Sequence, residues 1–160
     1  MISQTIEYAL RAMTHLAGLG EGVSVNSETI ATRTKVPPGY LSKVLRDLVV
    51  AGLVHSQRGP NGGFCLVAPA SQISMLDIIN AVDPIERIKR CPLGNPLHVE
   101  LCPLHLRLDH ALSLIEREFG RTTLAEIIHS NNASNNPSSP QCQSLLAPTP
   151  VMPTVRGKKD

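Results

Sequence analysis

Apolar positions recur at helical spacing through much of the chain. Over residues 3–19, Ile6, Ala9, Leu10, Met13, Leu16 and Ala17 form one stripe, with Glu7, Arg11 and Thr14 opposite. Gly18, Gly20 and Gly22 end that stretch, and residues 23–25 read as a short extended piece. A second helix is expected from Ser27, a good N-cap residue, with Ile30 and Ala31 facing inward. The run 34–38 breaks it, because a residue before proline is pushed out of the α region. Pro38 suits the first turn of a third helix, where its missing N–H costs nothing. There Leu41, Val44, Leu45, Leu48 and Val49 recur at helical spacing and leave Gly39, Tyr40, Ser42, Lys43 and Arg46 outside.

After these helices the period shortens to that of strands. Residues 53–57 and 64–67 flank Arg58, Gly59, Pro60, Asn61, Gly62 and Gly63, with Asn61–Gly62 suited to the positive φ angles of a tight reversal. Two short helices followed by a basic hairpin form a helix-turn-helix with a wing, and the extended piece at 23–25 can complete its sheet. The second helix of such a unit enters the major groove, so Tyr40, Ser42, Lys43 and Arg46 are expected to read base edges. Arg58 and the wing backbone at Gly59, Asn61, Gly62 and Gly63 are expected to reach the minor groove or its flanking phosphates. Ser27, Lys35, Pro38 and Gly39 complete the expected DNA-binding set.

Further along, Ser74 and Asp77 make a capping-box pattern that opens a helix ended by Asp83–Pro84. Residues 85–102 read as a loop. From Pro103, Leu104, Leu108, Ala111, Leu112, Ile115 and Phe119 form a long apolar stripe, while Leu106 and Leu114 add a second strip. A helix apolar on two sides wants two partners, which makes it the expected dimerisation helix of a homodimer reading a two-fold operator. Gly120 is expected to cap it, and a last short helix follows over residues 122–128, with Glu126 closing a capping box. After Ser130 the chain turns to Asn, Ser and Pro, a composition too poor in apolar residues to offset its ordering entropy.

The pattern therefore predicts a mainly α fold: a winged helix-turn-helix domain with a small β-hairpin wing and a long C-terminal dimerisation helix. Its expected parts are a DNA-binding domain (1–83), a ligand loop (84–102), the dimerisation and final helices (103–129) and a disordered tail (130–160). Composition sharpens this only in places. The 160 residues include no Trp, 2 Tyr and 2 Phe, so the core must be aliphatic. The net charge of +2 is modest, but Arg33, Lys35, Lys43, Arg46 and Arg58 meet only Asp47 of opposite sign between residues 33 and 58. No stretch is apolar enough to span a bilayer and no signal-peptide pattern follows Met1, so no membrane partner and a cytoplasmic location are expected. Four cysteines in such a chain suggest ligands or thiols rather than disulfides. Cys65, in the second wing strand, needs no role beyond packing, and Cys142 in the tail reads as a bystander.

The chemical question lies in residues 90–105. Cys91, His98, Cys102 and His105 fall within fifteen residues just before a helix, and Cys102 and His105, three apart, can share one side of its first turn. The spacing is not that of a zinc knuckle, which offers a close Cys pair.

The chain resembles the IscR/NsrR family of bacterial winged-helix regulators. The likeness is carried by Tyr8-Ala9-Leu10-Arg11-Ala12-Met13, Tyr40-Leu41, the glycine-rich wing at 58–63 and Thr123-Leu124-Ala125-Glu126. It implies a dimeric repressor or activator and, in many members, an iron–sulfur cluster in the loop before the dimerisation helix. Cys91 resembles the first and Cys102 the last of the family's three loop cysteines, and Cys102–His105 resembles the Cys-x-x-His of the IscR branch. The middle cysteine is absent. Glu7 stands where the NsrR-like branch places a carboxylate that reaches the cluster from the other subunit. The resemblance thus implies a [2Fe–2S] cluster on Cys91, Cys102, His105 and Glu7 of the partner subunit, with His98 as the alternative fourth ligand, sensing redox, nitric oxide or iron–sulfur status. Two rival readings remain: a cluster-free regulator answering to a protein partner or small molecule, and a metal-dependent enzyme. The second finds no nucleophile–base pair and no phosphate-cradling motif in the chain, so the chain is not expected to be an enzyme.

Overall fold

The computed structural model describes residues 2–59, 62–91 and 101–133; Asn61, His98, Cys142 and the expected tail beyond 133 lie outside this set. Helix α1 (Gln4–Gly18) starts where Ser3 accepts a hydrogen bond from the Ile6 N–H at 3.3 Å. Its buried face holds Ile6, Ala9, Met13 and Leu16 as expected, and also Tyr8, Ala12 and His15. Leu10 and Ala17 are only partly buried. The buried arc is wider than one stripe because α1 is covered on several sides, packing against α2 (Ser27–Thr34), α3 (Pro38–Val50), α4 (Met75–Val82) and α6 (Leu124–Ala133).

Helix α2 is capped by Asn26, not Ser27: the Asn26 side chain accepts from the Thr29 N–H at 2.8 Å, and Ser27 is already helical. The cap falls on the residue whose backbone is extended, and the strand-like stretch before it ends at Asn26. Lys35 closes α2 in the left-handed conformation at φ 54°, and Pro37 and Pro38 open α3 as N-cap and first helical residue. Leu41, Val44, Leu45 and Leu48 point into the core, while Tyr40 is 58% exposed.

Strands β1 (Val54–Gln57) and β2 (Gly63–Leu66) form the antiparallel wing, with Val54 opposite Leu66 and Gln57 opposite Gly63. The extended piece does join it, as a bridge between Val25 and Phe64 closed by hydrogen bonds of 3.1 and 2.8 Å. Gly63 is buried there, and a Cβ on it would lie 2.5 Å from the Val25 carbonyl oxygen. Only glycine allows that approach.

After a short 3₁₀ turn (Ala70–Gln72), α4 begins with the expected capping box: Ser74 accepts from the Asp77 N–H at 3.1 Å, and Asp77 accepts from the Ser74 N–H at 2.9 Å. Helix α5 (Pro103–Arg121) runs through Gly120, which does not cap it. The stop comes from tertiary pairing instead. Thr122 is extended, its carbonyl accepts from the Met75 N–H at 2.9 Å, and Leu124 donates to Ile73 at 2.8 Å. Thr123 and Glu126 then form the second expected capping box. Helix α6 continues to Ala133, past the expected start of the tail at 130.

The core lies within the N-terminal helices, where Met13, Leu16, Ile30, Leu41, Leu45, Leu48 and Ile78 are fully buried, and α6 returns to it through the fully buried Leu124. Helix α5 stands apart from it, with no fully buried residue and its main packing against α4. The irregular stretch after α4 is tied to α5 by Arg87. Its Nε and Nη2 donate to the two Asp109 carboxylate oxygens at 2.7 and 2.6 Å, and its Nη1 to Glu116 at 3.0 Å. The Ile88 N–H adds a bond of 3.0 Å to the same Asp109.

Two outcomes are expected. Gly63→Ala should lower the stability of the wing-bearing unit by about 1–3 kcal/mol, read as a fall in thermal midpoint, because the strand at Val25 must move. The Arg87 guanidinium, then the Ile88 N–H, hold the Asp109 carboxyl below its ordinary value. A depressed carboxylate stabilises the fold fully above its unfolded value of about 4 and loses that contribution as pH falls through the folded value. The urea-midpoint gap between wild type and Asp109→Asn should therefore be present at pH 7 and close in strongly acidic buffer.

Candidate nucleic-acid interface and metal centre

Helix α3 presents one face to the core and the other to solvent, which is what a recognition helix requires. Pro38, Gly39, Tyr40, Ser42, Lys43 and Arg46 are all exposed on that outer face. Ser42 donates to the Pro38 carbonyl at 2.9 Å, so its hydroxyl is held along the helix while its oxygen stays free to accept. Tyr40 meets Tyr8 of α1 edge-on, with ring centroids 5.9 Å apart at an angle of 60°. Such a pair contributes about 0.5–1.5 kcal/mol beyond burial and fixes the ring at the start of the helix. Lys35 is exposed at the turn between α2 and α3, and Ser27 is exposed at the start of α2. In the wing, Arg58 and Gly59 are exposed, with Gly59 at φ 115°. Gly62 is half-buried, and a Cβ there would lie 2.4 Å from the Gln57 carbonyl oxygen. Gly63, buried against Val25, supports the hairpin from behind. Asn61 lies outside the described residues.

The second cluster forms where the irregular stretch after α4 meets the start of α5. Cys102 is the N-cap of α5, and His105 sits on its first turn. The Cys102 sulfur lies 3.1 Å from His105 Nδ1, and the Cys91 sulfur lies 3.7 Å from the same nitrogen. The ligand atoms of Cys91, Cys102 and His105 all fall within 4.8 Å of one another, and all three residues are half-buried. The backbone N–H of His105, and next its ring, draw the Cys102 thiol down to about 7, against the opposing effect of burial. A thiol at a helix N-terminus is expected to ionise more readily for the same reason. Two sulfurs and an imidazole nitrogen converging on one point suit iron–sulfur ligation or another thiophilic metal. The donor set fits such a group.

Glu7 lies on the exposed side of α1 and pairs with Arg11 one turn on. His98 lies outside the described residues. The apolar stripe of α5 expected from the sequence is open: Leu104 is 64% exposed, and Leu108, Ala111 and Ile115 are also exposed, whereas Leu112 and Phe119 are half-buried. Of the second strip, Leu106 is 57% exposed and Leu114 is exposed too. Sequence reasoning passed over Arg87 and Asp109, and no signal in the chain pairs them: they lie in an irregular stretch and on a helix, 22 positions apart. Among the described residues, no helix is long and apolar enough to cross a membrane.

Comparison with known proteins agrees with this architecture. The family model Rrf2, an iron-dependent transcriptional regulator, matches residues 2–130. An HTH-type transcriptional regulator of Aquifex aeolicus is 32% identical over 138 residues, covering 81% of this chain and 92% of the relative. Two further such regulators from Mycobacterium tuberculosis strains are 35% identical over 95 residues, a match that spans 59% of this chain and 59% of their own length. Among solved structures, CymR, the global cysteine regulator of B. subtilis, superposes with a TM-score of 0.67 at 25% identity, covering 81% of this chain and 97% of that one. IscR of T. potens gives a TM-score of 0.67 at 25% identity, with 84% and 90% covered. These relatives are transcriptional regulators, not enzymes. With nearly all of its winged-helix portion and α5 matched by the family model, the chain belongs to the Rrf2 family of DNA-binding transcriptional regulators.

Proposed function

We propose that the protein is a homodimeric operator-binding regulator whose DNA affinity answers to a [2Fe–2S] cluster held by Cys91, Cys102 and His105. The observation that carries this is the convergence of those three ligand atoms within 4.8 Å, at the junction between the DNA-binding unit and α5. Residues 1–83 would bind double-stranded DNA, 84–102 the cluster, and the long helix of 103–129 the second subunit, while the short helix after it packs back on α1. Helix α3 would lie in the major groove with Tyr40, Ser42, Lys43 and Arg46 against the bases, and Arg58 in the wing would meet the minor groove or its phosphates. The exposed apolar residues of α5, Leu104, Leu108, Ala111 and Ile115, with Leu112 and Phe119 beside them, would be covered by the same helix of the twin.

Three convergent donors leave one position to be filled. We assign that place to Glu7 of the partner subunit, with His98 as the alternative. In the single protomer Glu7 is engaged by Arg11, so reaching across the dimer means releasing that pair. Because α1 packs on both α2 and α3, a change in where Glu7 is held shifts the reading head relative to its twin. When bound, such a cluster would supply a redox- and nitric-oxide-sensitive tie, and imidazole ligation raises its potential relative to an all-thiolate site.

Two observations favour a second reading, a cluster-free regulator controlled by a partner or small molecule. The loop has two cysteines rather than three, and the fold matches CymR as well as it matches IscR.

Two measurements test these readings. Lys43→Ala should weaken operator binding about tenfold at 0.1 M salt, and it should lower the log–log salt slope by about one if the ammonium at the groove edge also meets a phosphate. An unchanged slope removes Lys43 from the backbone contacts. Anaerobically purified protein should be a brown dimer with about two iron and two sulfide per subunit, and Cys91→Ala should bleach it. Spectra of Glu7→Ala and His98→Ala would then identify the fourth ligand, whereas a colourless, iron-free wild type that still binds its operator establishes the cluster-free reading.

A further inference from the structure

Among the described residues, no local backbone pattern explains why Cys91 sits beside His105. The stretch that carries it, residues 84–91, has neither helix nor strand, so no hydrogen-bonded ladder fixes its path. What fixes it is a clamp three to four residues earlier in the chain. Arg87 grips both oxygens of Asp109 through Nε and Nη2, at 2.7 and 2.6 Å, and reaches Glu116 with Nη1 at 3.0 Å. The Ile88 N–H donates to Asp109 at 3.0 Å, which orients the backbone that leads on to Cys91.

The other jaw is equally placed. Asp109 follows His105 by four positions and Glu116 by eleven, so the three residues share one face of α5. The clamp therefore lies one helical turn from the ligand nitrogen on one side and one short segment from the ligand sulfur on the other. The Asp109 side chain is only 16% exposed, so the pair is shielded more than the ordinary surface ion pair, whose contribution is slight. Its fork geometry fixes direction as well as distance, which a lysine point charge would not do.

We propose that Arg87 and Asp109 are positioning residues for the ligand trio: they hold the Cys91 sulfur against Cys102 and His105, with Glu116 steadying the guanidinium. This rests on the reading of Cys91, Cys102 and His105 as the metal-holding site. It assigns the clamp to assembly of that site, not to DNA contact. Outer partners of metal ligands commonly change metal affinity by about 10–100-fold when removed.

The test uses the full-length, metal-free, reduced protein in a Cys65→Ser, Cys142→Ser background, so that only Cys91 and Cys102 carry thiols. Dibromobimane, which becomes fluorescent on bridging two nearby thiols, reports their proximity without any metal. Titration with Co²⁺ alone, followed by thiolate-to-metal absorption, reports affinity. Arg87→Ala and Asp109→Asn are expected to lower the bridging rate at least fivefold and to weaken Co²⁺ binding by about 10–100-fold, with helix content by circular dichroism retained. Arg87→Lys should recover part of both, and Glu116→Gln should give a smaller loss if Arg87→Ala fails to fold. Bridging and cobalt affinity that stay unchanged in folded Arg87→Ala and Asp109→Asn overturn the proposal, as does a parent protein that does not bridge. A parent that bridges in a clamp-dependent way but takes up neither Co²⁺ nor iron sustains the positioning role and overturns the metal-site reading instead.

Discussion

The burial of α1 is the interaction on which the rest of the molecule depends. Met13 and Leu16 are sealed from solvent, Ala9 and Ala12 allow close approach, and α2, α3, α4 and α6 all lean on this helix. Full burial of a side chain the size of Met or Leu contributes about 1.5–3 kcal/mol, so these two residues alone weigh heavily against the marginal stability of a domain this size. The consequence is mechanical. Helix α3 has no independent seat; its Leu41, Val44, Leu45 and Leu48 enter the same core as α1, with α2, α4 and β1 packed around them. Tyr8 adds a second link, since it is buried in α1 and its ring meets Tyr40 at the outer start of α3. A force applied to α1 at Glu7, one residue away from Tyr8, therefore acts on α3, the proposed recognition helix, through packed atoms.

The helices were legible because their signals are local. Ser74–Asp77 and Thr123–Glu126 are spaced as capping boxes require, and both boxes form. Pro37 and Pro38 marked the turn because their backbone limits hold in any context. The wing was legible from its glycines, although the reason for Gly63, a close approach by the Val25 backbone, belongs to a contact 38 positions distant in sequence. Failures came where tertiary structure overrode a local preference. Asn26 and Ser27 are both good caps, and the choice between them depends on where the incoming strand ends. Gly120 looked like a helix stop, yet α5 continues until Thr122 pairs with Met75. The buried side of α1 was read too narrowly because periodicity reports a stripe, not how many neighbours will cover it.

The ligand trio was legible in part for the same reason. Cys102 and His105 share a helical turn, and spacing alone placed them together. Cys91 is different: it lies 14 positions before His105 and approaches it only through the fold. Charge pairs such as Arg87–Asp109 have no period and no fixed spacing, so a chain with many scattered charges conceals the one that matters. Only its bidentate geometry and its shielding distinguish it from an incidental surface contact.

Helix α5 makes the final connection. Among the described residues it has nothing fully buried, although Leu104, Leu106, Leu108, Leu114 and Ile115 are all large, apolar and exposed. A solitary helix of this kind gains little from propensity and leaves an apolar surface in water. Covering it with the twin helix, as in the proposed dimer, removes that surface and fixes the separation of two recognition helices. Cys102 and His105 stand at the N-terminus of this same helix, while Cys91 belongs to the stretch that leads out of α4 in the DNA-binding unit. In the proposed dimer, a group bound to all three would join the part that sets the spacing to the part that reads the DNA. The Arg87–Asp109 clamp spans the same joint through side chains of the protein itself. The interaction energy of a group bound there would bias the angle between α5 and the proposed reading head, which is the quantity a two-fold operator senses.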